Sequence, residues 1–316
     1  MTLSSANSSK GSTRTGLVET LNPLAEDERP IVRSVLAAVG KHFASFVGSR
    51  RESYDVMTAE TPIADGVALE AVDQIGLRGW WIRPVGAPAH RAILFVHGGA
   101  YMVGSAEAYR GFASQIATRA GVAAFVLDYP LAPEHPFPAA YDATVAARRW
   151  LGTQGVTQVA LVGDSAGGAL ALAAAGPAET IVPSVASIVV FSPWVDLALS
   201  GASFSSAETH DPIFQPELLA GAAATYLGAA DPRDGRASPL YAVPDKLPPL
   251  AIQVGSDELL LDDARRYARA AAEKGGEVRL DIFEGLHHVF QRSTHELPSA
   301  RRALDDAADF LSAHWG

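Results

Sequence analysis

The chain reads as an α/β fold, a single domain built on a mostly parallel sheet with helices on both faces. Short runs of mostly apolar, β-branched and aromatic residues recur at Ala92 to Val96, Ala123 to Leu127, Val159 to Val162, Ile188 to Phe191, Leu250 to Val254 and Val278 to Phe283. Strands that are apolar throughout are buried on both faces, the mark of a parallel sheet. Longer alanine-rich stretches with helical character separate these runs, and strands alternating with helices imply crossover connections. The length completes the case: 316 residues, 48% hydrophobic and 19% charged, suffice to bury roughly three quarters of the unfolded surface around one core.

In chain order, Met1 to Gly16 is rich in Ser and Thr with no apolar block, which predicts a loose tail and argues against a secretory signal. Residues 17 to 50 carry helical spacing at Ile31, Val35, Val39, Phe43 and Phe46. Trp80-Trp81 falls in an early strand, where alternation sends one ring into the core. Asp211 to Tyr226 is a second helical stretch, opened by Asp-Pro. Both helical parts stand outside the strand–helix rhythm and are expected to cap the mouth of a site, the alternative being that they pack on the sheet's flank. The last apolar run, Val278 to Phe283, is expected near a sheet edge, where pairing across a two-fold axis would give a homodimer.

Several classes are excluded by composition. There is no cysteine, so disulfides, thiolate metal sites and a cysteine nucleophile are ruled out, and the chain suits a reducing cytoplasm. A net charge of −10 opposes a nucleic-acid partner. The pairs Arg148-Arg149, Arg265-Arg266 and Arg301-Arg302 read as solvated helix faces. No run of about 18 or more apolar residues predicts a membrane span.

The chemistry begins at Gly163-Asp164-Ser165-Ala166-Gly167, between the run ending at Val162 and the small-residue stretch from Gly168 to Ala175. A serine on a strand-to-helix corner is pushed out at the sheet's edge, and flanking glycines remove the collisions that the corner would cause. The helix N-terminus beside it favours developing negative charge. Serine is a weak nucleophile at neutral pH and needs a base, itself held by a third group. Two loops after strands supply them: Gly255-Ser256-Asp257-Glu258, and Glu284-Gly285-Leu286-His287-His288. The order Ser165, Asp257, His288 is that of α/β-hydrolases. Asp257 comes first in its loop and is preferred to Asp262 and Asp263 as the acid. Of the adjacent histidines, only one can face the serine. Upstream, His97-Gly98-Gly99-Ala100 follows a buried strand, so Gly98 and Gly99, with Ala166, are the expected N–H donors of an oxyanion hole.

Together with Asp128-Tyr129-Pro130-Leu131-Ala132-Pro133-Glu134-His135-Pro136-Phe137-Pro138 and Gly285-Leu286-His287-His288-Val289-Phe290, these motifs resemble the hormone-sensitive lipase-like family of α/β-hydrolases, bacterial esterase family IV. The resemblance runs in family order from about Leu94 to Phe290. It implies an eight-stranded sheet, an N-terminal helical cap and hydrolysis of carboxylic esters with no cofactor and no metal, and it assigns the base to His288. On this reading residues 1–50 form the tail and cap helices, and 51–316 the catalytic domain with a second cap segment near 200–228. Three departures stand out: Ala100 for a third glycine, Pro130 for the usual arginine, and Ser256-Asp257-Glu258 for the usual Asp-Pro. Glu134 and His135 are read as loop-fixing groups.

The expected reaction is acyl transfer to water from a small ester with a short- to medium-chain acyl group. A deacetylase, lactonase or amidase could use the same residues. A ligand receptor on the same scaffold is the other alternative, and retention of His288 favours an enzyme over it.

Overall fold

Nine strands form one sheet in the order β1-β9-β8-β7-β6-β4-β5-β3-β2, in a computed structural model that describes residues 16–176 and 182–315. The tail expected over residues 1–15 lies outside the described residues. The strands are β1 (Gly16–Asn22), β2 (Val67–Gln74), β3 (Leu77–Pro84), β4 (Arg91–Val96), β5 (Ala123–Leu127), β6 (Gln158–Asp164), β7 (Ser184–Phe191), β8 (Leu250–Asp257) and β9 (Glu277–His287). Pairing is parallel except where β3 meets β2 and β5. All six apolar runs are strands, and they occupy contiguous positions in the sheet.

Among the described residues eight α-helices accompany them: α1 (Arg29–Ser45), α2 (Arg50–Thr58), α3 (Arg110–Ala120), α4 (Ala139–Thr153), α5 (Ala166–Ala175), α6 (Pro216–Leu227), α7 (Leu261–Glu273) and α8 (Pro298–Ala313). Successive strand side chains point to opposite faces, which divides the core in two. On one face Leu94, Phe125, Leu161 and Ile252 pack with α4, α5, α6 and α7 through residues such as Leu151, Leu170 and Tyr267. On the other, Ile93, Phe95, Val126 and Phe191 pack with α3 and α8 through Phe112, Ile116 and Leu304. Trp81 is buried and Trp80 is not, as the alternation requires.

Three expectations need correction. The stretch from residue 17 does not open as helix, because Gly16–Asn22 forms β1 and pairs in parallel with β9 from Gly16↔Glu277 to Asn22↔Phe283. The sheet therefore has nine strands rather than eight, and Val278 to Phe283 lies one strand inside the edge. That edge, expected to serve a two-fold pairing, is taken up by the chain itself. Arg148 is not solvated: it is fully buried, donating to the Pro183 carbonyl at 2.9 and 3.2 Å and to the Ala174 carbonyl at 3.2 Å. Carbonyls left over at a helix end and a strand approach satisfy its charge. Arg266 and Arg302, from the other two pairs, bond to Asp196 and Glu28.

The helices α1 and α2 precede β2, and α6 stands between β7 and β8. The Asp211-Pro212 dipeptide lies in the loop before α6, while Pro216 supplies the first helical residue, a position where a missing N–H costs nothing. The start of α2 is a capping box between Ser49 and Glu52. Among the described residues, no helix is long and apolar enough to cross a membrane.

Candidate active site

Strand β6 ends at Asp164 and α5 begins at Ala166, so Ser165 is the corner itself, with φ 53° and ψ −121°. Few residues are held in that left-handed region without a structure that fixes them. The glycines on either side are required by contact. A Cβ on Gly163 would press on the Gly167 and Val96 carbonyls, and one on Gly167 would overlap the carbonyls of Val96 and His97. The corner is pinned by Ser165 N–H donating to the Phe191 carbonyl at 2.8 Å and by Trp194 N–H donating to the Ser165 carbonyl at 3.1 Å. The Ser165 hydroxyl itself has no hydrogen-bond partner among the described residues.

His288 follows the last residue of β9, and its Nδ1 lies 2.6 Å from Glu258 Oε2. Both groups are buried. Glu258 Oε1 also accepts the Gly255 N–H at 3.1 Å. The acid facing the histidine is thus Glu258, and the assignment of Asp257 is corrected. Asp257 is the final residue of β8 and its carboxylate accepts the neighbouring Ser256 hydroxyl at 2.7 Å. One residue later the side chain points the other way, and the longer glutamate reaches back over the strand end to His288. Burial pushes the Glu258 carboxyl above the ordinary range; the bond to His288 and the Ser192 hydroxyl pull it down again, while Asp211 nearby pushes it up. Asp262 and Asp263 bind elsewhere, at Ser203 N–H and at the N–H groups of Val195 and Asp196.

The adjacent histidine has another fate. His287 is buried, its Nδ1 has no partner, and desolvation, with the charges of Arg292 and His288, pushes its pKa down to about 3. It stays a neutral ring at physiological pH. The Phe214 ring meets His288 edge-on at 4.9 Å. Asp211 fixes that ring's loop: one carboxylate oxygen accepts the N–H groups of Ile213 and Phe214, and the other accepts Leu259 N–H at 2.9 Å. A segment leading into α6 is thereby tied to the loop that carries Glu258.

Gly98 was expected to donate to an oxyanion, and the structure corrects this. Its N–H is already bonded to Asp164 Oδ1 at 2.8 Å. The N–H groups of Gly99 and Ala100 have no partner among the described residues, and Ala166 is the first residue of α5, where an N–H has no intrahelical acceptor. Gly99 at φ 112° and Ala100 at φ 52° turn the chain so that the Gly99 carbonyl accepts Met102 and Val103. Asp164 also accepts the Tyr109 hydroxyl at 3.0 Å, and Tyr109 meets the Tyr54 hydroxyl of α2 at 2.8 Å. From the same helix, Arg51 donates to the Met102 carbonyl at 2.9 Å and the Ala132 carbonyl at 3.0 Å, and grips both carboxylate oxygens of Glu134. Glu134 is a loop-fixing group, as expected, and Arg51 brings a guanidinium to the segment where Pro130 stands in place of an arginine.

Three residues here were given no role from sequence: Glu258, Ser192 and Arg51. Strand alternation past Asp257 is a signal that points to Glu258. The other two come together only through contacts between distant segments.

Residues 93–292 match the alpha/beta hydrolase fold family. The chain is 40% identical over 239 residues to an acetyl-hydrolase of Streptomyces hygroscopicus, covering 75% of this chain and 80% of that one. It is 34% identical over 253 residues to an esterase of Acinetobacter venetianus, covering 78% and 82%. Among solved structures, an esterase from the bacterial hormone-sensitive lipase family superimposes with a TM-score of 0.86 at 37% identity, over 93% of this chain and 100% of that one. With a strand-borne serine, a buried histidine–glutamate pair and these relatives, the chain belongs to the hormone-sensitive lipase-like family of α/β-hydrolases.

Proposed function

We propose that this chain is a serine carboxylesterase that hydrolyses esters of short- to medium-chain carboxylic acids through an acyl-enzyme. The observation that carries the reading is the buried 2.6 Å contact between His288 and Glu258, set beside a serine whose hydroxyl is unengaged. His288 Nε2 takes the Ser165 proton as the hydroxyl oxygen attacks the ester carbonyl. Glu258 holds the ring in the tautomer that leaves Nε2 free to accept, and stabilises the imidazolium that forms. The N–H groups of Gly99, Ala100 and Ala166 receive the oxyanion, where fixed dipoles in a dry site act most strongly. The same histidine protonates the departing alcohol, then activates water to release the acid from Ser165. Hydrogen bonds between nucleophile and base commonly tighten in the substrate complex, so an unpaired Ser165 hydroxyl is compatible with this role.

The names of the relatives, esterase and acetyl-hydrolase, support esters over amides or lactones. A retained base with a buried acid partner supports an enzyme over a ligand receptor. No cofactor enters the scheme, and the lack of cysteine supports a cytoplasmic site of action. Ser165→Ala is expected to lower turnover of aryl esters by about four orders of magnitude and to abolish labelling by an organophosphonate. Hydrolysis near the wild-type rate by that variant would defeat the assignment.

A further inference from the structure

We propose that Ser192 is a positioning residue for ester hydrolysis, its buried hydroxyl fastening the loop that carries His288 to the end of β7, beside Glu258. The inference rests on the reading of Ser165, His288 and Glu258 given above. Ser192 directly follows β7 and is fully buried. Its hydroxyl oxygen accepts the N–H of Val289, the residue after His288, at 3.2 Å. The same hydroxyl stands near the Glu258 carboxyl and favours its charged form. One O–H with two lone pairs can donate to a carboxylate while accepting an amide N–H, and neither alanine nor glycine can do either.

The backbone points the same way. Ser192 has φ 47° and Val289 has φ 50°. Left-handed geometry is costly for an ordinary residue and an outlier for a β-branched one. Glycine would relieve the cost at position 192, yet serine stands there and bonds across to the second strained residue. Strain at both ends of one hydrogen bond, next to a proposed catalytic histidine, marks a constraint beyond packing. The stretch around Ser192 also holds the nucleophile, since Phe191 accepts Ser165 N–H and Trp194 donates to the Ser165 carbonyl. The Ser192 N–H donates to the Gln253 carbonyl at 2.7 Å, which locks the stretch to β8. Residues 191–194 thus touch the Ser165 corner, the loop after His288 and strand β8, which leads to Glu258.

The test compares wild type with Ser192→Ala and Ser192→Gly, and with Ser165→Ala and Glu258→Gln as controls. Ser192→Gly sheds the left-handed strain, so it is expected to melt at or above the wild-type temperature. Its kcat is nevertheless expected to fall 10- to 100-fold with KM within about threefold, the pattern of a group acting on the transition state. The far-downfield proton resonance of His288 Nδ1–H is expected to shift or broaden in both Ser192 variants. Wild-type kcat and an unmoved resonance in a folded Ser192→Gly protein overturn the proposal. So does a loss of kcat that merely tracks a loss of folded protein. Activity surviving in Ser165→Ala or Glu258→Gln would instead remove the underlying reading, whatever Ser192 does.

Discussion

Glu258 and Asp257 differ by one position and one methylene, and the site separates them cleanly. Glu258→Gln keeps the shape but can present its N–H₂ to the ring, reversing the tautomer; a fall in kcat of about 10⁴ is expected. Asp257→Asn should stay close to wild type, because that carboxylate meets only Ser256. Steady-state kinetics on one aryl ester decides between the two acids. His287 gives a second expectation, in stability rather than rate. Native His287 resists protonation down to about pH 3, whereas the unfolded chain accepts the proton near the ordinary histidine value. The unfolded state binds more protons between those limits, so stability falls as pH drops through that window. Lowering pH from 6.5 to 5 should cost about 2 kcal/mol through this group. Denaturant midpoints at pH 7 and pH 5 should therefore lie closer together in His287→Gln than in wild type. The serine and the histidine were legible as residues, since a glycine-flanked corner and a strand-end loop leave local marks. The acid was not, because the direction of a side chain past a strand end depends on where β8 stops.

At the scale of elements, the site depends on how closely α5 approaches β4. Gly167 sits where any side chain would collide with backbone carbonyls of Val96 and His97, and carbonyls at the end of a central strand cannot retreat. Gly167→Ala is expected to destabilise by about 3 kcal/mol or more, seen as a lowered melting temperature or as loss of folded protein on expression. A wild-type melting curve would show that the helix can slide. The same scale explains which strands were readable. The six strands from β9 to β5 carry mostly apolar side chains on both faces, so each shows as an apolar run. Strands β1 and β2 alternate half-buried with exposed positions and carry charges at Glu19, Glu70 and Asp73, which leaves no such run. The burial of Arg148 was hidden for a related reason, since its partners are backbone carbonyls and those have no letter in a sequence.

For the molecule as a whole, the edge beside β9 matters most. With β1 in place the last apolar strand has neighbours on both sides. A chain lacking residues 1–22 would expose a long apolar strand edge, the feature that promotes edge-to-edge pairing. Such a truncation is expected to melt at lower temperature and to associate with rising concentration in size-exclusion chromatography. Unchanged melting and elution would mean that β1 contributes little to holding the sheet.

Gly16 lies opposite Glu277, so the earliest described residues of the polypeptide are partnered by some of the latest. A ribosome delivers the N-terminus first, and domains otherwise begin to fold as they emerge. Here the opening strand must wait, unpaired, until β9 has been translated. Pairing of such sequence separation is slow to form. Glu258 and His288 likewise follow Ser165 along the chain, so the proposed acid and base reach the proposed nucleophile only once β8 and β9 have emerged.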